Sequence, residues 1–108
     1  MPIKDLFNLE AILRRRGGLF GVKPKIPIKS KQTLGMIYTP GVGHVCNLIH
    51  KDKELAWTLT NKANSMFVIT DSTGFRGFNN TWNHDCSLPY LEAKTCYYKE
   101  TANIDTYP

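Results

Sequence analysis

The sequence predicts a small α/β domain in which a short sheet is flanked by helices. Its 108 residues suit one domain. Several segments carry apolar residues at helical spacing, and residues 66–70 form a short apolar run of the kind found in buried strands. Because a domain this short buries a smaller share of its surface than a larger one, we expect it to share apolar surface with a partner or a further domain.

The first predicted helix covers residues 5–16. Asp5 is placed to cap it, and Gly17-Gly18 is placed to end it. Its apolar residues recur at the spacing of one helix face: Leu6, Leu9, Ile12 and Leu13.

Residues 19–33 are predicted to form an extended basic arm. Pro24 and Pro27 fix φ and remove backbone donors, which disfavours a helix. Most of the positive residues of the first third lie in or just before this arm: Arg14, Arg15, Arg16, Lys23, Lys25, Lys29 and Lys31. Such a run can contact nucleic acid or an acidic surface, or it can be a solvated arm lying on a larger assembly. We favour the second interpretation because no aromatic residue lies between the lysines of the run.

Two helices and a strand are predicted to follow the arm. Pro40-Gly41 opens one helix, and Asp52 caps the next. The buried face of that second helix is predicted to hold Leu55, Ala56, Leu59 and Ala63. After the strand at 66–70 comes a turn at 71–74, and residues 75–78 have the composition of a second strand.

The last third is predicted to hold a loop, a helix and an unfinished element. Residues 79–88 are polar and aperiodic, which is typical of a loop. Ser87 then caps a helix that has Pro89 in its first turn. One face of this helix holds Leu91, Thr95 and Tyr98. Residues 103–108 resemble the start of a further element.

The composition argues against several classes of protein. The three cysteines have no CxxC spacing, and the histidines have no ligand-like spacing, which argues against a disulfide framework and a zinc site: Cys46, Cys86, Cys96, His44, His50 and His84. No signal-peptide core or membrane-length apolar run is present. We therefore expect an intracellular protein without a membrane span, in the mitochondrial matrix or the cytoplasm.

An ordered series of motifs gives the sequence a specific resemblance. Tyr38-Thr39-Pro40-Gly41-Val42 is followed by residues 50–56 (HKDKELA) and 60–62 (TNK). These are similar to the YTPGVA, IHxDPELA and YTNKGN segments of malic enzymes. The likeness continues through residues 68–73 (VITDST), 88–94 (LPYLEAK, against P-V-M-E-G-K) and 103–108 (NIDTYP, against A-G-I-D-A-F-P). From about residue 10 to the end, the chain resembles the amino-terminal domain of the small bacterial-type malic enzymes, which implies residues 1–33 as lead-in and 34–108 as the domain.

The resemblance implies a reaction and two catalytic residues. Malic enzymes decarboxylate malate oxidatively to pyruvate, using NAD or NADP with Mg²⁺ or Mn²⁺. Tyr38 matches the family's acid, which protonates the carbon that loses carbon dioxide. Lys94 matches the family's base, which takes the hydroxyl proton of malate. A lysine acts as a base where burial or nearby positive charge lowers its pKa.

Several departures from the family pattern concern glycines. The family has a loop of the form L-G-L-G-(D/N)-x-G, whereas residues 75–82 keep a single glycine. Ser72, Ala63 and Ala93 stand where the pattern has three more glycines. Because glycine alone reaches positive φ freely, this clustering predicts relaxed selection on catalysis.

Two functional hypotheses follow, and they belong to different classes. The family's metal ligands and its dinucleotide-binding domain come after the point where this sequence ends, so we expect no metal or NAD(P) site in the chain. The leading hypothesis is a non-catalytic structural or accessory subunit of a larger intracellular assembly, with other protein subunits as partners. The alternative is the substrate-side fragment of an active malic enzyme, completed by an NAD-binding domain.

The arrangement of a few side chains should separate the two hypotheses. A retained site should bring Tyr38 and Lys94 to one cleft, with Lys94 shielded from solvent. A structural relic should instead have that cleft filled by Phe75, Phe78 or Trp82, because bulky aromatic side chains there would occupy the volume of the malate carboxylates.

Overall fold

A computed structural model describes residues 8–74 and 83–108. The chain divides into two compact units. The first unit combines Met1–Gly21 with Met66–Pro108, and the second unit is Val22–Ser65. The division predicted from the sequence, into residues 1–33 and 34–108, has different boundaries and stays a prediction.

The described residues form five α-helices, three short 3₁₀ turns and two strands. In chain order they are α1 (Leu9–Arg16), α2 (Lys31–Ile37), α3 (Gly41–Lys51), a 3₁₀ turn (Lys53–Leu55), the single-turn helix α4 (Ala56–Leu59), a 3₁₀ turn (Asn61–Asn64), β1 (Ser65–Phe67), a 3₁₀ turn (His84–Ser87), α5 (Leu88–Ala102) and β2 (Asp105–Tyr107). The two strands make a parallel two-stranded sheet. A small mixed fold with a short sheet and surrounding helices is thus the class that the sequence predicts.

The ends of α1 illustrate what local sequence determines. Gly17 ends the helix in the left-handed region, at φ 70°, and its N–H donates to the carbonyl of Leu13 at 2.7 Å. This confirms the predicted stop, which glycine provides at little steric cost. The predicted cap, Asp5, lies outside the described residues.

Helix α5 provides the buried side chains of the first unit. Leu91 and Thr95 are buried on its inner face and Tyr98 is half-buried, as predicted. Pro89 lies in the first turn, also as predicted. Ser87 occupies the cap position, but the prediction that its side chain caps the helix is wrong. Its hydroxyl donates instead to the carbonyl of His84, at 2.8 Å, because a 3₁₀ turn precedes the helix where a loop was predicted.

The sheet corrects two predictions about strands. Residues 66–70 were expected to form a buried strand, but β1 ends at Phe67, which is 74% exposed. At residues 103–108, where the sequence predicted no strand, β2 pairs with β1, and the Val68 N–H continues the pairing to the carbonyl of Tyr107 at 2.9 Å. The Tyr107 ring lies 6.0 Å from the ring of Phe20 and 5.7 Å from that of Phe67. The strand predicted at 75–78 lies outside the described residues.

The second unit is built from short helices joined by side-chain caps. The Ser30 hydroxyl accepts the Thr33 N–H at 3.0 Å and starts α2, so the arm predicted to stay extended to residue 33 ends at Ser30. Helix α3 starts at Gly41 as predicted. Asp52 accepts the Glu54 N–H at 3.1 Å, which confirms it as a cap.

The predicted burial in the second unit is partly wrong. Leu55 and Ala56 are half-buried, but Leu59 and Ala63 are exposed. The reason is that Thr60 adopts an extended conformation, which ends α4 and breaks the helical face before Ala63. Every residue from 22 to 65 is described, and none of them is buried.

Candidate functional site

Tyr38 lies at the junction between α2 and α3. Its N–H donates to the carbonyl of Leu34 at 2.9 Å, which closes α2, and its own carbonyl accepts the Val42 N–H at 2.8 Å, at the start of α3. The backbone of Tyr38 therefore belongs to both helices. Its side chain is 67% exposed.

Gly41 allows the two helices to approach closely beside Tyr38. A Cβ built on Gly41 would lie 2.6 Å from the carbonyl carbon of Met36 and 2.8 Å from its Cα, both well inside van der Waals contact. The Thr39–Pro40 peptide between them is cis. The Pro-Gly pair of the motif thus has a structural role, because any larger residue at position 41 would displace the end of α2.

Lys94 lies in the middle of α5, where it is half-buried. Its ammonium nitrogen is 4.8 Å from the ring centre of Tyr90, which precedes it by one helical turn. That distance is within the range of a cation–π contact. Lys94 was expected to be shielded from solvent, and in the structure it is partly covered.

The shared cleft for Tyr38 and Lys94 stays a prediction. Tyr38 belongs to the second unit and Lys94 to the first, and the structure describes each of them within its own unit. The aromatic residues expected to fill the cleft of a structural relic, Phe75, Phe78 and Trp82, lie outside the described residues.

A contact that sequence analysis missed attaches the segment after α1 to α5. The Glu92 carboxylate accepts the N–H of Leu19 at 2.7 Å, and the Cys96 thiol donates to the carbonyl of Leu19 at 3.3 Å. Glu92 and Cys96 are four residues apart, so they lie on one face of the helix. Gly18, at φ 104°, brings the backbone against Glu92, where an added Cβ would lie 2.8 Å from a carboxylate oxygen. The signal in the sequence was the i, i+4 spacing, which by itself names no partner.

Ser72 has an unusual backbone conformation that the structure explains. Its φ is 63°, the left-handed region that glycine reaches most easily. The Ser72 hydroxyl lies 2.9 Å from the hydroxyl of Ser87, to which it donates, and 3.3 Å from the carbonyl of His84. His84 in turn contacts the carbonyl of Asp71 through Nδ1 at 3.1 Å. The serine that replaces a family glycine thus adds bonds that glycine could not make.

The described residues offer no ready metal site and no membrane span. Within residues 8–74 and 83–108, no three His, Cys, Asp or Glu side chains come together as a metal ion would need. No helix in the same ranges has the length and apolar character to cross a membrane.

Curated relatives show which proteins this chain resembles in sequence. The NAD-dependent malic enzyme of Geobacillus stearothermophilus is 36% identical over 92 residues, which is 85% of this chain and 19% of that enzyme. The NAD-dependent malic enzyme 1 of Bacillus subtilis is 36% identical over 99 residues, which is 92% of this chain and 22% of that enzyme. The chain is a relative of the malic enzymes. It spans about a fifth of the length of these two, and no family model matches it.

Solved structures agree on the fold of this malic-enzyme relative. The NAD-dependent malic enzyme of Thermotoga maritima matches 93% of the chain with 28% of its own, at a TM-score of 0.80 and 27% identity. The malic enzyme of Entamoeba histolytica matches 92% of the chain at a TM-score of 0.75, and at 22% identity it speaks for the fold alone. The chain therefore has the fold of a malic-enzyme amino-terminal domain.

Proposed function

We propose that the chain supplies the substrate side of a malic-enzyme reaction, the oxidative decarboxylation of malate to pyruvate, and that it has no such activity alone. The observation that carries the proposal is a 36% identity to NAD-dependent malic enzymes over most of the chain, in a sequence that keeps Tyr38 and Lys94. The matched segment is only about a fifth of these relatives, so the rest of the active site is expected on another part of the protein or on another chain.

The chemistry assigned to this chain consists of two proton transfers. Lys94 takes the proton from the malate hydroxyl while the carbon that bears this hydroxyl is oxidised by the dinucleotide. Tyr38 then returns a proton to the neighbouring carbon, which has lost carbon dioxide. Both assignments come from the family resemblance. The partial burial of Lys94 and the closure of the Tyr38 backbone between two helices support them, because acid–base groups need fixed positions.

Metal and dinucleotide chemistry lies outside what the described residues support. They hold no cluster of three metal-ligand side chains, so the proposal derives no step from a metal ion bound to them. NAD or NADP, with Mg²⁺ or Mn²⁺, would bind to a further domain, as the family resemblance implies.

A structural or accessory subunit is the second candidate function. It is favoured by the exposure of apolar side chains in both units, for example Ile28 (59%), Met36 (60%) and Ile69 (91%). Exposed apolar side chains mark a protein–protein contact where they form a contiguous patch. On this hypothesis the partners are other subunits of an intracellular assembly, in the mitochondrial matrix or the cytoplasm.

A hybrid enzyme tests the first proposal. The matching segment of the B. subtilis NAD-dependent malic enzyme 1 would be replaced by this chain, and malate-dependent NAD reduction would be measured with Mn²⁺. We expect activity in the hybrid, and a loss of about 100-fold or more in kcat for Lys94→Ala and for Tyr38→Phe, since a positioned acid or base contributes that much. Glu100→Ala, an exposed change on the same helix, is the matched control and should keep full activity.

Three results would count against the proposal, two of them from the hybrid. One is a hybrid that folds with native helix content yet shows no activity, which would favour the accessory subunit. The other is a hybrid whose activity survives Lys94→Ala. The unfused chain, assayed with NAD or NADP and either metal, should reduce no cofactor, and turnover there would contradict the second half of the proposal.

A further inference from the structure

We propose that Tyr90 is a positioning residue that holds the side chain of Lys94 along α5. The inference rests on the proposed role of Lys94 and adds a residue to it. The geometry behind it is the 4.8 Å separation between the Lys94 ammonium and the centre of the Tyr90 ring. At this distance the negative face of the ring attracts the cation.

The helix makes this contact a persistent one. Residues four apart on an α-helix lie one above the other, and long helical side chains point back toward the amino terminus. Lys94 therefore extends over the preceding turn, where Tyr90 lies. Lys94 is half-buried, and the Tyr90 side chain is 50% exposed, so the pair lies at the surface of the helix.

Residue 90 is one of the positions at which this chain differs from the family pattern. The segment Pro89-Tyr90-Leu91-Glu92-Ala93-Lys94 corresponds to P-V-M-E-G-K, so a tyrosine stands where the pattern has valine. Valine has no π face and cannot hold an ammonium group. Tyr90 consequently gives the amine a defined place on its own helix.

The consequence is a measurable restraint on the Lys94 amine. Only a deprotonated amine reacts with an electrophile, and the ring attracts the charged ammonium, so an amine held against the ring should be labelled more slowly than one in open water. At a partly exposed site this attraction favours the ring-bound position of the amine over the unbound position by a factor of about 2 to 5. Another lysine of the chain, Lys53, is exposed in the second unit and serves as the internal standard.

Competitive amine labelling of the full chain tests the inference. The chain would be treated with limiting trinitrobenzenesulfonate, and the labelling of Lys94 relative to Lys53 would be read by peptide mass spectrometry. Tyr90→Leu should raise the relative labelling of Lys94 about 2- to 5-fold. Tyr90→Phe keeps the ring and should leave it close to that of the parent chain. Tyr90→Val, which restores the family residue, repeats the measurement if leucine lowers the helix content.

The outcomes separate positioning from general structure. Equal Lys94 labelling in the parent, leucine and valine chains would overturn the inference. Faster labelling in Tyr90→Phe, matching the leucine variant, would also overturn it, because the ring would then have no role. A rise in both Lys94 and Lys53 would indicate loosened structure and would count against positioning. Since the assay needs neither malate nor a hybrid enzyme, its result is independent of whether the proposed function holds.

Discussion

The backbone of Ser72 has an unfavourable positive φ, and its hydroxyl makes hydrogen-bond contacts that compensate for this cost. A non-glycine residue in the left-handed region costs roughly 1–2 kcal/mol. Each hydrogen bond contributes about 0.5–1.5 kcal/mol, and the Ser72 hydroxyl has two acceptors within reach, Ser87 and the carbonyl of His84. The two effects are of similar size. Replacement of a family glycine here is therefore tolerated by the fold, and relaxed selection is not needed to explain it.

Two substitutions of Ser72 should separate the backbone strain from the contribution of the hydroxyl hydrogen bonds. Ser72→Ala keeps the conformational cost and loses the bonds, so we expect the free energy of unfolding to fall by about 1–2 kcal/mol. Ser72→Gly loses the same bonds but removes the cost, so it should stay within about 1 kcal/mol of the parent. Urea unfolding of the three chains gives the comparison. A glycine variant less stable than the alanine variant would show that the backbone of residue 72 is not strained.

Sequence could name the candidate site residues but not their surroundings. Tyr38 and Lys94 were recognised from motifs, because the motif fixes residue type and order. The contact of Lys94 with Tyr90 and that of Glu92 with Leu19 depend on side-chain direction and on residues 73 positions apart. The first contact follows the i, i+4 spacing of a helix, which the sequence shows without naming the contact, and the second joins segments that no local pattern connects. For the same reason the cleft predicted between Tyr38 and Lys94 stays a prediction.

Among the elements, the α2–α3 junction depends most sharply on one residue. Gly41 opens α3 where its Cα faces the backbone of Met36, so that a Cβ would overlap main-chain atoms. Backbone cannot move aside as a flexible side chain can. Gly43, two residues later in the same helix, has nothing within 4 Å of the corresponding position.

The two glycines should respond in opposite directions to the same substitution. Gly41→Ala should lower the free energy of unfolding by about 1–3 kcal/mol, as forced overpacking does. Gly43→Ala should raise it by roughly 0.5–1 kcal/mol, because alanine favours the helix and there is room for its methyl group. Thermal or urea unfolding of both variants measures the difference. Equal effects of the two substitutions would contradict the close approach at Gly41.

The elements also show where local sequence suffices and where it does not. Gly17 and Asp52 marked helix boundaries correctly, because caps and stops act within a few residues. The strand limits predicted at 66–70 were wrong and the strand at Asp105–Tyr107 was not predicted, because each strand is defined by a partner about 40 residues away. Continuation of a helix past Thr60 was also wrong, since its extended conformation gives no clear signal in the apolar periodicity.

At the scale of the whole molecule, charge and burial are distributed unequally between the two units. The second unit holds seven lysines against two acidic residues, Asp52 and Glu54, and so carries the full net charge of +5. It also has no buried residue, whereas the first unit buries Ser87, Leu91, Thr95 and Thr106. Like charges repel at low salt, and the unit has little apolar burial to oppose that repulsion.

The second unit should therefore open more readily than the first. In native-state hydrogen exchange of the chain, we expect lower protection for the amides of α3 than for those of α5 around Leu91 and Thr95, since local opening follows the density of buried contacts. Salt provides a matched control within the same molecule. Raising the ionic strength toward about 1 M shortens the screening length to about 3 Å, which should increase protection in α3 more than in α5. Uniform protection across both helices, or a salt effect of equal size in both, would show that charge and burial do not set the stability of the second unit.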